Sequence, residues 1–503
     1  MTKYIKACLF FSGLTAVSAL SAEEPSNVEI EELLILGTNA EKQKLAGSGI
    51  RIDAESIEKQ AYSDLNQIIG MSPGVYVREE DGYGLRPNIG IRGATSDRSS
   101  KITLMEDGVL IAPAPYAAPA AYYVTNASRL YSLEVLKGPA SIAYGPHTVG
   151  GAVNMVTRPA QWSNSAEFSV TAGTDQFQKI TAMAEVVTGD TSWQFDALRY
   201  SSDGFKQLAN GGDTGFVRND FNIKAHWKPQ TELKQSLILK LGYADEDSDE
   251  TYLGLTDLDL DNDPTQRYPV SQLDHFVSDH SQIHLSHSIE FADDLQVNSK
   301  LYVNRFDRSW NKFDGFIDGT NAKLVLQSPS ENLDAYNVIS GAQDSVVNNL
   351  TLDVTDNARQ YGSEGIQIDL AKQFDSGAFE HNLGIGIRYH HDYVERNHQQ
   401  KSYLMVSENL VSDQIERPAK VINRSQSDAL AIYINDKISY ENWTFNVGVR
   451  YEDIAGKLHN KQSGSKYQNS QYILAPGVGA HLQLTDKIGL LAGVYICFSP
   501  PVA

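Results

Sequence analysis

The sequence predicts a transmembrane antiparallel β-barrel. Three observations carry that reading. The chain opens with an export leader. Apolar residues recur at every second position over most of its length. The connections between these runs are alternately short and long.

The leader comes first. Lys3 and Lys6 precede the apolar run 7–20, and Ser21-Ala22-Glu23-Glu24 follows. A basic start, a short apolar core and a small-residue exit make a secretory signal peptide over residues 1–22. The apolar run is too short for a membrane anchor. Cys8 leaves with the leader and Cys497 stays behind, so neither an internal disulfide nor a thiolate metal site is expected.

The alternation is clearest in 443–451. Trp443, Phe445, Val447, Val449 and Tyr451 share one face; Thr444, Asn446, Gly448 and Arg450 share the other. Leu383, Ile385, Ile387 and Tyr389 repeat the pattern, as do Leu237, Leu239, Leu241 and Tyr243, and Leu295, Val297, Leu301 and Val303. Side chains alternate across a strand, so each run presents one apolar face, and several carry aromatic residues at the face's ends. Beyond residue 22 no apolar run is long enough for a membrane helix, but a barrel strand needs only every second residue to face lipid.

A soluble sandwich would also alternate, so the connections decide. Short ones fall at 188–191, 228–231, 291–294, 375–378, 440–443 and 485–487. Long ones fall at 201–217, 246–277, 306–361, 395–423 and 456–468. Short turns on one side and long loops on the other are the asymmetry of outer-membrane barrels. Counted this way, residues 161–503 hold about thirteen strands.

Composition bounds the rest. The 503-residue chain is 41% hydrophobic and 21% charged, with a formal net charge of -21. That charge repels nucleic acid, and no basic patch offsets it. No Gly-x-Ser-x-Gly, His-Glu-x-x-His or paired cysteines occur, so no enzyme is expected. His390 and His391 point to opposite strand faces and do not chelate one ion together; with His398 they are expected to be solvated or lumen-facing. The acidic runs 245–250 and 257–263 lack the glycine and terminal Glu of a calcium loop and are expected to be solvated.

The residues between leader and barrel carry motifs. Asp81-Gly-Tyr-Gly-Leu-Arg-Pro-Asn-Ile-Gly-Ile-Arg-Gly93 resembles the "IRG" segment of the plug domain of TonB-dependent outer-membrane receptors, with Arg92 and Gly93 at its end. Ile102-Thr-Leu-Met-Glu-Asp-Gly108 resembles that plug's strand and turn at Asp107 and Gly108. Val135 to Gly145, then Gly150 to Arg158, resemble its closing segment, with Gly138, Tyr144, Gly145, Gly150, Gly151 and Asn154. Gly138 to Gly151 is no phosphate cradle, since no Gly-Lys-Ser/Thr and no helix pattern follow; tight turns and close backbone approach are expected instead. Residues 31–38 resemble the TonB box, centred on Glu32, Leu33, Leu34, Ile35 and Leu36. Within the family, 112–123 and 250–257 look like the ferric-citrate-receptor branch.

The resemblance implies an N-terminal α+β plug inside the lumen of a barrel of about 22 strands. It implies a signal peptide at 1–22, a TonB-box segment at 23–50, a plug at 51–160 and an incomplete barrel at 161–503. The chain is expected to be a fragment of such a receptor, because about thirteen strands cannot close antiparallel; Cys497 also stands where the family tends to have glycine. With so few residues between the leader and the TonB-box-like segment, the extra signalling domain of some members is not expected.

The implied function is uptake of a ferric chelate, ferric citrate or another siderophore, across the outer membrane of a Gram-negative bacterium. Implied partners are TonB with its inner-membrane energising complex, the chelate and outer-membrane lipid, through β-augmentation by the TonB box. No cofactor is implied, the iron travelling only as bound chelate. Haem, cobalamin or a carbohydrate as cargo, or a passive porin or adhesin, are the alternatives. Arginine recognises carboxylates bidentately. Arg86 and Arg98, beside plug turns, and Tyr116 and Tyr122, in a Pro/Ala loop, are the substrate candidates. Arg267, Arg396 and Arg417 rank below them.

Overall fold

The computed structural model describes residues 48–291, 294–485 and 488–500. The leader 1–22 and the TonB-box-like residues Glu32 to Leu36 lie outside the described residues.

The first structured unit is a mixed sheet with two short helices. Its strands are β1 (Ser48–Ile52), β4 (Ile102–Glu106), β5 (Val109–Leu110), β6 (Leu130–Lys137) and β7 (Gly151–Thr157), ordered β1-β6-β7-β4-β5. β2 (Val75–Val77) and β3 (Ile89–Ile91) pair separately. Only β4 and β7 run parallel; the other pairs are antiparallel. All residues of β4 and β7 are buried. Their near-continuous Ile-Thr-Leu-Met and Ala-Val-Asn-Met-Val runs are what a strand covered on both faces requires. The helices α1 (Ala54–Gln60) and α2 (Leu65–Gly70) are started by Asp53 and Asp64, whose carboxylates accept the amides of Ser56 and Asn66 at 3.0 and 2.6 Å.

The turn between β4 and β5 is Asp107-Gly108, with φ of +52° and +74°. Both residues being left-handed makes this a type I′ hairpin, for which Asp-Gly is a preferred pair. Gly151 has a different reason. At φ +130° a methyl group there would meet the Leu136 carbonyl oxygen at 2.1 Å. The glycines therefore serve turns and close strand approach, as the sequence suggested.

Thirteen strands follow, from Ser165–Ala172 to Ile488–Tyr495, each antiparallel to the next and joined in chain order. The short connections come out as expected: Thr188 pairs with Thr191, Ser376 with Phe379 and Tyr440 with Trp443. The first and last of these strands are not paired with each other among the described residues. Burial is inverted relative to a soluble protein. In Phe216–Trp227 the inward Arg218, Asp220, Asn222, Lys224 and His226 are buried, while Phe221 and Ile223 face outward and are exposed. The apolar belt is on the outside and the charged surface is packed against the sheet of β1–β7, which fills the lumen.

Three features depart from the sequence reading. In the acidic run 245–250, expected to be solvated, Glu246 and Glu250 are buried and paired with Arg86 and Lys206 at 2.7 and 2.6 Å. The regions 306–361 and 395–423 are not mostly loop. Leu295–Phe316 and Leu352–Ser376 stay paired as far as Phe316 with Leu352, and Phe379–Val406 runs for 28 residues. A strand needs only about 9–11 residues to cross a bilayer, so these project well beyond it. There the outward face no longer meets lipid, and the apolar alternation that marks a strand disappears while the backbone ladder continues. The remaining loop 317–351 holds short helices, Ala322–Gln327 and Leu333–Ile339, packed through Val325, Val338 and Ile339 onto Phe313, Phe316, Leu352 and Met405. The acidic run at 257–262 is also a short helix, capped by Thr256, with Asp259 accepting the Tyr336 hydroxyl at 2.7 Å.

A candidate anion site where the inner sheet meets the barrel wall

The inner domain is bolted to the wall by buried ions. Lys240, on Lys234–Ser248, donates to Asp107 at 2.6 Å and also to Glu106. Arg129 donates to Glu106 at 3.1 Å. Lys300 donates to the Asp107 carbonyl at 2.9 Å, and Asp107 also accepts the Thr157 amide and hydroxyl at 2.8 and 2.7 Å. Burial raises the Glu106 carboxyl, but Arg129 and Lys240 outweigh it and hold the group well below the usual carboxylate range. Asp107 behaves alike, burial being overcome by Lys240 and Lys224. Asn154 ties the same turn internally, accepting the Gly108 amide at 2.9 Å and donating to Glu134 at 2.9 Å.

A second set of contacts fixes the loop 112–123. Tyr116 is fully buried; its hydroxyl donates to Glu452 and accepts from Arg388, each at 3.0 Å. Arg388 also donates to the Gly145 carbonyl at 2.9 Å, and Arg450 to the Ala143 carbonyl at 2.8 Å. A methyl at Gly145 would meet Glu452 at 2.7 Å, which accounts for that glycine. Tyr144 sits beside it, partly buried in the cluster that holds Tyr116. Arg92 and Gly93, at φ +51° and +83°, form the turn after β3, and Gly138, at φ +76°, opens the turn after β6. Gly150 abuts Ile102, whose Cγ2 lies 2.7 Å from where a Cβ would be.

The site itself lies around Tyr122. Three arginines stand opposite one another on adjacent wall strands: Arg308 is the register partner of Arg359, and Arg359 of Arg396. Directly opposed side chains on neighbouring strands have Cβ atoms about 5 Å apart, and like charges there repel. Among the described residues none of the three has a carboxylate ion-pair partner. Arg308 donates to the Asn357 carbonyl at 2.7 Å, Arg359 to His398 and Tyr361 at 3.2 and 3.3 Å, and Arg396 to Asn423 at 3.2 Å. The Arg308 guanidinium lies 4.4 Å from the Tyr122 ring centroid, with Nη2 3.4 Å from its hydroxyl. Arg98 approaches the same ring at 5.6 Å. Trp310 backs the group, with Arg86 and Arg98 each 5.1 Å from its centroid. Burial raises the Tyr122 phenol, but Arg308, Arg359, Arg98 and Lys312 together lower it to about 7.

The structure thus brings Arg98 and Tyr122 together at the ladder; Arg86 reaches the same Trp310 ring but is committed to Glu246, and Tyr116 lies elsewhere. Arg98 keeps a carboxylate, Glu80, at 2.7 Å. Arg86 is fully buried, paired with Glu246 at 2.7 Å and stacked 4.3 Å over Phe276. Tyr116 belongs to the Glu452–Arg388 contact. Arg267 is spent on the Asp249 and Ser271 carbonyls, and Arg417 on Asp413. Arg308 and Arg359 escaped the sequence reading because their strands lie where alternation fades; Arg396 was ranked low for the same reason. His390 and His391 do face opposite sides, the first hydrogen-bonded to Tyr302 at 2.7 Å and the second to Asp428 at 2.8 Å.

An outward-apolar barrel, filled by a mixed sheet that is ion-paired to its wall, defines a plugged outer-membrane receptor. Residues 41–152 match the model of the TonB-dependent receptor plug domain, and 234–495 match that of the TonB-dependent receptor-like β-barrel. The chain belongs to the TonB-dependent receptor family, whose members are receptors and transporters rather than enzymes, with barrels in the outer membrane of Gram-negative bacteria. It is similar to the vitamin B12 transporter BtuB of Vibrio vulnificus strain CMCP6, 29% identical over 178 residues, covering 35% of this chain and 28% of that protein. It is similar to the metal-pseudopaline receptor CntO of Pseudomonas aeruginosa strain UCBPP-PA14, 22% identical over 397 residues, covering 75% of this chain and 51% of that protein. The matches therefore span about a quarter to about half of the length of these relatives. Among solved structures it resembles the unliganded ferric citrate transporter FecA, with TM-score 0.73 and 22% identity over 92% of this chain and 65% of that one. The siderophore receptor PiuA of Acinetobacter baumannii gives TM-score 0.67 and 16% identity over 90% and 64%.

Proposed function

We propose that the intact receptor imports an anionic ferric chelate, ferric citrate or another carboxylate-rich siderophore, across the outer membrane. The observation that supports this is the ladder Arg308–Arg359–Arg396. Three register-opposed guanidiniums without carboxylate partners are costly on their own and become favourable when a polyanion lies across them. A neutral carbohydrate gives no reason for that arrangement. Arg98 and Tyr122 complete the site from the inner domain, so the cargo bridges plug and wall. The name of FecA, a ferric citrate transporter, fits this class of substrate, and that of PiuA, a siderophore receptor, fits the wider class of siderophores.

In this reading the leader 1–22 exports the chain, and Glu32 to Leu36 pair with TonB, which is driven by its inner-membrane complex. The test is binding and uptake of ferric citrate by a receptor containing this chain. Arg308→Gln and Arg359→Gln should each weaken binding by about tenfold or more, since a charge-assisted hydrogen bond contributes roughly 1.5–3 kcal/mol. Deleting 31–37 should abolish uptake and leave binding intact. Binding untouched by both arginine changes would reject the anionic-chelate reading; uptake surviving the deletion would reject TonB coupling and favour a passive barrel.

A further inference from the structure

Among the described residues no carboxylate is ion-paired with the three ladder arginines, yet a phenol from the inner domain, Tyr122, faces them beside the wall's own Tyr361. We infer that the Tyr122 phenolate is the resident counter-anion of the arginine ladder, and that an arriving anionic chelate discharges it by making it take up a proton. This rests on the anionic-chelate reading of the site and adds a coupled proton to it.

The geometry carries the argument. Tyr122 is presented by the inner domain with its ring between Phe306 and Trp310 of one wall strand and Tyr361 of the next, at centroid distances of 6.5, 6.4 and 6.3 Å. Its hydroxyl points to Arg308 Nη2. The charged and titratable groups facing it are these. Arg98 comes from the inner domain, already balanced by Glu80. Arg308 and Lys312 come from Leu295–Phe316, Lys312 being balanced by Asp314 at 2.6 Å. Arg359 comes from Leu352–Ser376, and Arg396 and His398 from Phe379–Val406. His398 accepts from Arg359 and so contributes no charge as a neutral ring. After Glu80 and Asp314 are counted, the three ladder arginines remain without an ion-paired carboxylate, and two phenols stand among them: Tyr361 accepts from Arg359 on its own strand at 3.3 Å, and Tyr122 meets Arg308 from the inner domain. The displacement of the Tyr122 ionisation to about 7 agrees with that position.

The step balances simply. Above the phenol's ionisation an empty site holds Tyr122 as phenolate. A chelate with several carboxylates takes over the guanidiniums, its charge repels the phenolate, and the oxygen accepts one proton from solvent. One proton is taken up for each chelate bound, so affinity falls by about tenfold per pH unit once pH exceeds the phenol's ionisation. Tyr122→Phe removes the competitor: its affinity is flat across neutral pH and equals or exceeds that of the parent at the alkaline end.

The experiment has two arms. In the ligand-free arm the tyrosinate absorbance of the full chain in detergent is titrated through neutral pH and compared with Tyr122→Phe and Arg308→Gln. One tyrosine ionising near neutrality is expected in the parent, absent from Tyr122→Phe and shifted to higher pH in Arg308→Gln. Superimposable parent and Tyr122→Phe titrations overturn the inference. In the second arm gallium(III) citrate, which is redox-silent, is added under calorimetry in buffers of different ionisation enthalpy. Loss of the tyrosinate band with net proton uptake supports the inference. Binding with the band unchanged, or proton uptake that persists in Tyr122→Phe, overturns it. No binding of the citrate complex, beside a tyrosine that ionises near neutrality in the first arm, rejects the chelate reading and the discharge step, while the counter-anion assignment holds on the first arm.

Discussion

Asp392 of the barrel wall accepts the backbone amides of Tyr116 and Ala117, its two oxygens 2.6 and 3.0 Å from the two nitrogens. One side chain thus fixes the Pro/Ala loop of the inner domain through two main-chain donors. Asp392→Ala leaves both amides buried without partners, at about 1–3 kcal/mol each. Asp392→Asn keeps one acceptor and should lose about half as much. Hydrogen exchange of residues 112–118, with thermal unfolding alongside, measures both. Equal protection in all three proteins would show that the loop is held by other contacts.

Glu106 is the hub of the ionic bolt. Glu106→Gln leaves Lys240 and Arg129 short of charge in a buried site, and such a loss costs about 3–5 kcal/mol. The acid dependence has a definite sign. Glu106 and Asp107 ionise lower in the fold than when unfolded. Their stabilisation is complete above the unfolded carboxylate values of about 4 and drains as pH falls below them. Unfolding midpoints of the parent should drop steeply below about pH 4, and those of Glu106→Gln more shallowly.

Asp64 runs the other way. It caps α2, but burial, with Asp81 and Glu79 nearby, raises its carboxyl to about 7. A carboxyl raised in the fold stabilises fully below its unfolded value of about 4, and that contribution is lost as pH rises towards 7. Asp64→Asn keeps an N-capping side chain without the charge. It should be more stable than the parent at pH 8 and nearly equal to it at pH 4. A lower melting temperature at pH 8 would reject the assignment.

Gly151 and Gly189 separate two costs. A methyl at Gly189 meets nothing, so Gly189→Ala bears only its φ of +59°, about 1–2 kcal/mol. Gly151→Ala drives carbon into the Leu136 carbonyl and parts β6 from β7. Limited proteolysis should cut the inner domain of Gly151→Ala while leaving that of Gly189→Ala resistant.

The sequence made the barrel legible where lipid imposes its pattern, as in Leu237 to Tyr243, whose outward residues Leu237, Leu239, Leu241 and Tyr243 are all apolar or aromatic while Lys240 points inward. The inner sheet was legible through turn chemistry, Asp107-Gly108 above all. Arg98 was found because it lies beside a turn, and Tyr122 because it lies in a Pro/Ala loop. Arg308 and Arg359 were not, because what selects them is cross-strand register 51 positions apart in the chain, and no local pattern records it. Arg86 and Tyr116 shared the local signals of Arg98 and Tyr122; only the wall residues opposite, Glu246 and Glu452, distinguish them.

The inner sheet has a weak margin and a strong centre. β1 lies at the edge and holds on through five register pairs, Ser48–Lys137 to Ile52–Leu133. Each backbone bond there is worth about 1 kcal/mol. The Asp107 turn, at the far side of the same sheet, is clamped by ions from several wall strands. Traction on the chain ahead of Ser48 therefore meets the edge strand first and strips it pair by pair, like a tear strip. The load is spent on peeling before it reaches Lys240, so pulling unravels the margin of the stopper while its core stays seated.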